Sequence, residues 1–150
     1  MALEAKHGIH CKVVLGTHTI VGLGAWEITG GTTESVTVDE FLSSYHDVEL
    51  GLITGGTFSF SGLYKKDDTT GADLIRHAFH LQSNLTTLKF YVDLTSYYAG
   101  NSTTGTGGGL PEGVPVSKVY ITADPTITAE KGGLMGISFS GIYTGAMRLN

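Results

Sequence analysis

The sequence predicts a mainly β fold: two packed antiparallel β-sheets, sandwich- or barrel-like, with one flanking α-helix and a long extended loop. Three observations carry that prediction. Short runs alternate apolar and polar residues along most of the chain, one stretch abandons that period for a helical one, and one acidic interval holds aromatic residues. At 150 residues the chain has the length of one domain, 1–150, and such a domain buries roughly 68–70% of its unfolded surface.

The runs follow in order. Ile9, Cys11, Val13 and Leu15 alternate with His10, Lys12 and Val14; Trp26 and Ile28 share a side; Val36 and Val38 alternate with Ser35 and Thr37. Each of these is expected to bury one face. Phe58 and Phe60 alternate with Thr57, Ser59 and Ser61, and Leu88, Phe90, Val92 and Leu94 alternate with Lys89, Tyr91 and Asp93. Val119 and Ile121 continue the pattern, and Met135, Ile137, Phe139 and Tyr143 close it. Phe60, Phe79, Phe90 and Phe139 are the expected core.

The helical stretch spans about Thr70 to Asn84. Leu74, Ile75, Ala78, Phe79 and Leu81 make a broad apolar face, and Asp73, Arg76, His77 and His80 make a polar stripe. Thr70 and Asp73 have the spacing of a capping box, and Asn84 is the expected stop.

The heptapeptide Phe58 to Tyr64 recurs as Ile137 to Tyr143, keeping Ser, Phe, Ser, Gly and Tyr in register. Two strands with the same side-chain order are expected to hold matching places, serines on one face and phenylalanine on the other. This is a packing device without chemistry.

Two stretches fall between the strands. Tyr98 to Pro115 is rich in Gly, Ser and Thr and is expected to be a flexible excursion. Thr29 to Leu50 begins with Gly30 and Gly31 and sets Phe41, Leu42 and Tyr45 among acids. An extension with exposed apolar residues needs a surface to lie against, and partner chains would supply it.

Composition narrows the function. Hydrophobic residues make up 41% and charged residues 15%, which excludes a disordered tail. The net charge of −5 is unevenly spread: between Val13 and Tyr64 lie Glu27, Glu34, Asp39, Glu40, Asp47 and Glu49 without one Lys or Arg. The remaining eight acids are balanced by nine bases. Phosphate-gripping proteins need the opposite bias. No apolar run approaches the ~20 residues that span a bilayer, and Met1 to His10 lacks a signal-peptide layout, so synthesis in the cytoplasm is expected.

Catalytic and cofactor motifs are sparse. Gly22 and Gly24 lack the third glycine of a dinucleotide loop, and Gly105 to Gly109 neither follows a strand nor opens a helix. Cys11 is the lone cysteine, and beside His10 in a strand it points to the opposite face, which removes a thiol–imidazole pair. Asp73, His77 and His80 have spacings that could hold a metal, but a polar stripe explains them without one, and no metal site is expected. No nucleophile or acid–base pair stands out, so no enzyme and no cofactor are expected.

The order of the pieces resembles the tail-tube (major tail) proteins of siphophages. An acidic, Thr-rich segment, Glu34 to Phe41, is followed by a hydrophobic-Gly phrase, Val48 to Ile53. A glycine-initiated aromatic strand, Gly55 to Gly62, then leads through the Asp-rich turn Asp67 to Gly71 into the helix, and Gly136 to Gly141 is similar to the family's closing strand. The resemblance covers roughly Trp26 to Leu81 and the end of the chain.

It implies two packed sheets with a flanking helix, six copies per ring, and rings stacked into a tube whose lumen is lined by strands joined between neighbours. DNA would pass through that tube without specific binding. Thr29 to Leu50 would be the arm that touches the adjacent ring, with Phe41, Leu42 and Tyr45 as its contacts. Glu34, Asp39, Glu40, Asp47 and Glu49 would face the lumen or the ring interface. The implied partners are the chain itself and the tape-measure, tail-terminator and distal tail proteins. The protein would reside in the virion tail after synthesis in the host bacterial cytoplasm, with no membrane involved. The rival readings are a related ring-forming protein, such as a tail terminator or secretion-system tube, and a monomeric β-rich ligand-binding module.

Overall fold

The computed structural model describes residues 11–20, 23–38, 47–64, 72–100 and 116–150. In chain order the elements are β1 (Lys12–Leu15), β2 (His18–Thr19), β3 (Leu23–Thr29), β4 (Thr32–Val38), β5 (Asp47–Thr54) and β6 (Thr57–Leu63). The helix α1 (Ala72–Leu81) follows, then β7 (Leu88–Tyr91), β8 (Tyr97–Gly100), β9 (Lys118–Ile121), β10 (Thr126–Thr128), β11 (Gly136–Thr144) and β12 (Met147–Leu149).

Two five-stranded antiparallel sheets form the body, as the sequence predicts. Sheet A has the order β12-β8-β7-β1-β2. Sheet B has the order β10-β11-β6-β3, with β9 also paired to β11. The third sheet is the β4–β5 hairpin alone. Within the extended segment expected over Thr29 to Leu50, the described strands β4 and β5 pair with each other, and β5 runs on to Thr54.

The two copies of the repeat are nearest neighbours. β6 and β11 pair antiparallel with Phe60 opposite Phe139, Ser59 opposite Ser140 and Ser61 opposite Ser138. Equal sequences paired in opposite directions create a local two-fold centred on the Phe60–Phe139 pair, whose rings stack at 5.1 Å. Gly141 faces Phe58, and a Cβ there would strike its ring, which explains the glycine in this copy of the motif.

Phe90 of β7 joins the sheets. Its ring lies 5.5 Å from Phe58, 5.8 Å from Phe60 and 5.7 Å from Trp26, all on sheet B. Aromatic pairs at such spacings add about 0.5–1.5 kcal/mol beyond area burial. The indole N–H of Trp26 donates to the Tyr91 carbonyl at 3.0 Å, tying β3 to β7 across the sandwich. Phe60, Phe90 and Phe139 are buried as expected, whereas Phe79 is only partly buried at the rim.

Several expectations from strict alternation fail. Val13 and Val14 are both buried, so β1 does not have one wet face. β4 buries none of its described side chains, Val36 included, because the hairpin leaves the sandwich. β7 stops at Tyr91: Asp93 Oδ1 accepts the N–H groups of Thr95 and Ser96, a turn that reverses the chain and leaves Leu94 exposed. Met135 lies just before β11 and is exposed.

The helix ends at Leu81, before the expected stop at Asn84. Ala72, Ile75 and Ala78 are buried, while Leu74 and Leu81 face outward. Gln82 takes a left-handed φ of 53°, its N–H donates to Phe79 O and the Ser83 N–H to Ala78 O, which closes a Schellman end. Asn84 does not stop the helix. Its side-chain oxygen accepts the Val119 N–H at 2.9 Å, and the Leu85 N–H donates to Val119 O, fastening the helix exit to β9. Thr70, the expected cap, lies outside the described residues.

Candidate assembly surfaces

Three surfaces lack a partner within the described residues. The first is the outward face of sheet B. Thr57, Ser59, Ala25, Glu27, Thr29 and Ser140 are exposed there, opposite the buried phenylalanines. It is broad and built of small hydroxyls, and the only charged residues on the strands of sheet B are Glu27 on β3 and Lys118 on β9. At one margin β3 presents a seven-residue edge with no neighbour among the described strands; β9 and β10 form the opposite margin.

The second is the β4–β5 hairpin. It leaves the body between β3 and β6, which pair up to Thr29 and Thr57. Gly30 and Gly31 interrupt one strand of the ribbon, and Gly55 and Gly56 the other, at the same level. Tyr143 packs into this joint. Its hydroxyl donates to Thr29 O at 3.0 Å, and its N–H donates to Gly56 O at 3.0 Å. A Cβ on Gly56 would collide with the Thr29 carbonyl oxygen and the Tyr143 hydroxyl, so close backbone approach requires glycine here. Burial of the Tyr143 ring pushes its phenol above the usual value of 10.0. A cleft of about 580 Å³ opens beside the joint, walled by Trp26, Ile28, Tyr98 and Met147 together with the hairpin root.

The hairpin carries Glu34, Asp47 and Glu49 and no Lys or Arg. Val36, Leu50 and Ile53 are 58%, 72% and 79% exposed. Of the residues expected to make contacts, Glu34 is exposed on β4, and Asp47 and Glu49 belong to β5, paired to Val38 and Val36. Asp39, Glu40, Phe41, Leu42 and Tyr45 lie outside the described residues, as does the Gly-rich stretch 101–115.

The third surface went unnoticed in the sequence. In sheet A, Val13, Phe90 and Tyr98 stand in one row and point into the core, so the flanking rows point out. Those rows are Lys12–Tyr91–Tyr97 and Val14–Lys89–Ala99–Arg148, in which Val14 and Ala99 are buried and the Lys and Tyr side chains half-buried. Lys12 Nζ lies 4.5 Å above the Tyr91 ring, Lys89 Nζ lies 4.9 Å from the Tyr97 ring, and the two tyrosines are 5.1 Å apart. The strands of sheet A hold Lys12, His18, Lys89 and Arg148 and no Asp or Glu. The available signal was the polar half of the alternations in β1 and β7, which sequence reading used only to locate the buried half.

The polar stripe of α1 has a local role. Arg76 Nε and His80 Nε2 lie 3.7 Å and 3.3 Å from the Asp124 carboxylate, bridging the helix to the turn after β9. Among the described residues no group of three His, Cys, Asp or Glu side chains could hold a metal ion.

No family model matches the sequence, and no curated protein does so significantly. Solved structures do match the fold. A chain from the virion of a native gene transfer agent particle aligns over 97% of this chain and 99% of its own, with TM-score 0.65 and 17% identity. A chain from the tail of an empty gene transfer agent particle, refined helically with C6 symmetry, aligns equally well at 18% identity. A chain of the extended sheath–tube complex of the extracellular contractile injection system PVC covers 94% of this chain and 88% of its own, with TM-score 0.53 and 8% identity. A chain of the tube-terminating cap of the anti-feeding prophage covers 100% and 92%, with TM-score 0.55 and 9% identity. The chain thus has the fold found in phage-like tails and injection-system tubes.

Proposed function

We propose that this chain is the non-enzymatic structural subunit of a phage-like tail tube, of the siphophage type, in which six copies form a ring and rings stack around a channel for DNA. The observation that carries the reading is the unpartnered β4–β5 hairpin on a two-sheet body with a long open β3 edge, in a fold shared end to end with a chain of a C6 tail.

The physical case is direct. A seven-residue open edge is an association hazard unless paired, and pairing β3 of one copy with the β9/β10 margin of the next closes a ring. A hairpin none of whose described side chains is buried costs chain entropy, and contact with the next ring offsets it. The hydroxyl-rich face of sheet B suits a lumen, since DNA must slide past without the lysines and arginines that would hold it. On this reading the hairpin acids belong to the ring interface and the contacts reside in Phe41, Leu42 and Tyr45. The remaining partners are tape-measure, terminator and distal tail proteins, and the site of action is the virion tail.

Negative-stain microscopy of the concentrated protein tests the class, with hollow tubes or six-fold rings as the expected result. A monomer at every concentration would overturn it. Isolated rings that never stack would favour a terminator, the reading to which the tube-cap match points. Replacing Phe41 and Leu42 by serine should leave a folded chain that forms few tubes, because apolar anchors dominate interface energy. Shortening Gly105 to Gly109 should leave tubes intact.

A further inference from the structure

We propose that the outward face of sheet A is the seat for the acidic β4–β5 hairpin of a second copy in the adjacent ring. The proposal rests on the tube reading and adds to it the surface that receives the arm.

Charge complementarity selects the occupant. The hairpin strands bring Glu34, Asp47 and Glu49 with no cation, and the outward face of sheet A brings Lys12 and Lys89 on strands that hold no Asp or Glu. The hairpin has two strands and sheet A five, so the narrower ribbon can lie along part of the broader face. The lysines are also held for the purpose. Each ammonium rests over a tyrosine ring, Lys12 on Tyr91 and Lys89 on Tyr97.

All four of these Lys and Tyr side chains are half-buried, so little side-chain freedom remains to be lost when a carboxylate arrives. Tyrosine supplies flat apolar area beside the charge, and exposed Val36 and Ile53 on the hairpin supply the matching apolar contact. One copy cannot satisfy both halves, because its own hairpin emerges from sheet B. The contact is heterologous and repeats without closing, which is the geometry of a stack. Exposed ion pairs are individually weak and screened by salt, but repetition around each ring multiplies them.

A charge exchange tests it. One variant reverses the face, Lys12→Glu with Lys89→Glu; the other reverses the hairpin, Glu34→Lys, Asp47→Lys and Glu49→Lys. Circular dichroism and thermal melting establish that each is folded, and sedimentation with microscopy counts tubes. Each variant alone should lose pelletable tubes, and an equimolar mixture should regain them, with reversed hairpins seated on reversed faces. Tubes of the parent should shorten as salt rises. Face-reversed protein that polymerises like the parent would overturn the docking while leaving the tube reading intact, and so would a mixture that stays as dispersed as its parts. A parent that never self-associates would overturn both. Retention of duplex DNA by the parent at physiological salt, lost in the face-reversed variant, would assign the face to nucleic acid and overturn the docking of a second copy.

Discussion

The sandwich body and the β4–β5 hairpin are made of the same kind of alternating strand, yet they end in opposite conditions. In β6 and β11 Phe58, Phe60, Ile137, Phe139 and Tyr143 are buried in the core; in β4 and β5 every described side chain is exposed. The difference lies in what each ribbon meets, since β3 and β6 are stacked on sheet A, while beyond Gly30–Gly31 and Gly55–Gly56 the same ribbon has no second layer among the described residues. A β ribbon with nothing behind it is marginal in water. On the proposed reading, the hairpin is an element that another chain stabilises.

The comparison can be broken most forcefully at Phe90. Truncation to Ala removes the ring that contacts Trp26, Phe58 and Phe60, and should cost about 3–5 kcal/mol in chemical denaturation. A variant as stable as the parent would show that the sheets do not depend on this residue.

A smaller and more local effect is expected at the joint. Gly56→Ala forces backbone apart at Thr29 and Tyr143, with a cost of about 1–3 kcal/mol for a clash that cannot be relieved by side-chain rotation. Hydrogen exchange should rise at Thr29 and Thr57 while Phe60 and Phe139 stay protected. Uniform loss of protection would mean that joint and body unfold as one unit.

The smallest effect sharpens the role of Tyr143. Tyr143→Phe deletes the hydrogen bond to Thr29 O and should cost about 0.5–1.5 kcal/mol. The phenol is raised in the folded state by burial, so its contribution is fully present below the unfolded value near 10.0 and is lost as pH rises through the higher folded value. The gap between parent and variant should accordingly be constant at neutral pH and change only in alkaline solution. A pH-independent difference up to strongly alkaline conditions would remove Tyr143 from the joint.

Much of this organisation was legible beforehand. The period of two located Phe58, Phe60, Val119, Ile121, Ile137 and Phe139, because which face a residue takes is set by its own position in a strand. The helix was legible from its stripe, but its end was misplaced at Asn84, since a Schellman closure on Gln82 lacks the usual glycine. The acidic interval was visible as a stretch with little reason to pack in the body. Its glycine-bounded joint and the Tyr143 lock were not, because the hydrogen bond to Thr29 spans 114 residues.

By itself the sequence determined the local terms: strand or helix, inward or outward, and the absence of cations from one interval. These depend on neighbours along the chain. Only the tertiary structure decided which strands pair, that the two repeat copies face each other at Phe60 and Phe139, that Val36 remains exposed despite its alternating strand, and that Lys12 and Lys89 gather over Tyr91 and Tyr97. Alternation specifies a face but not its partner, and the partner is selected by register, twist and the packing of all the other strands at once.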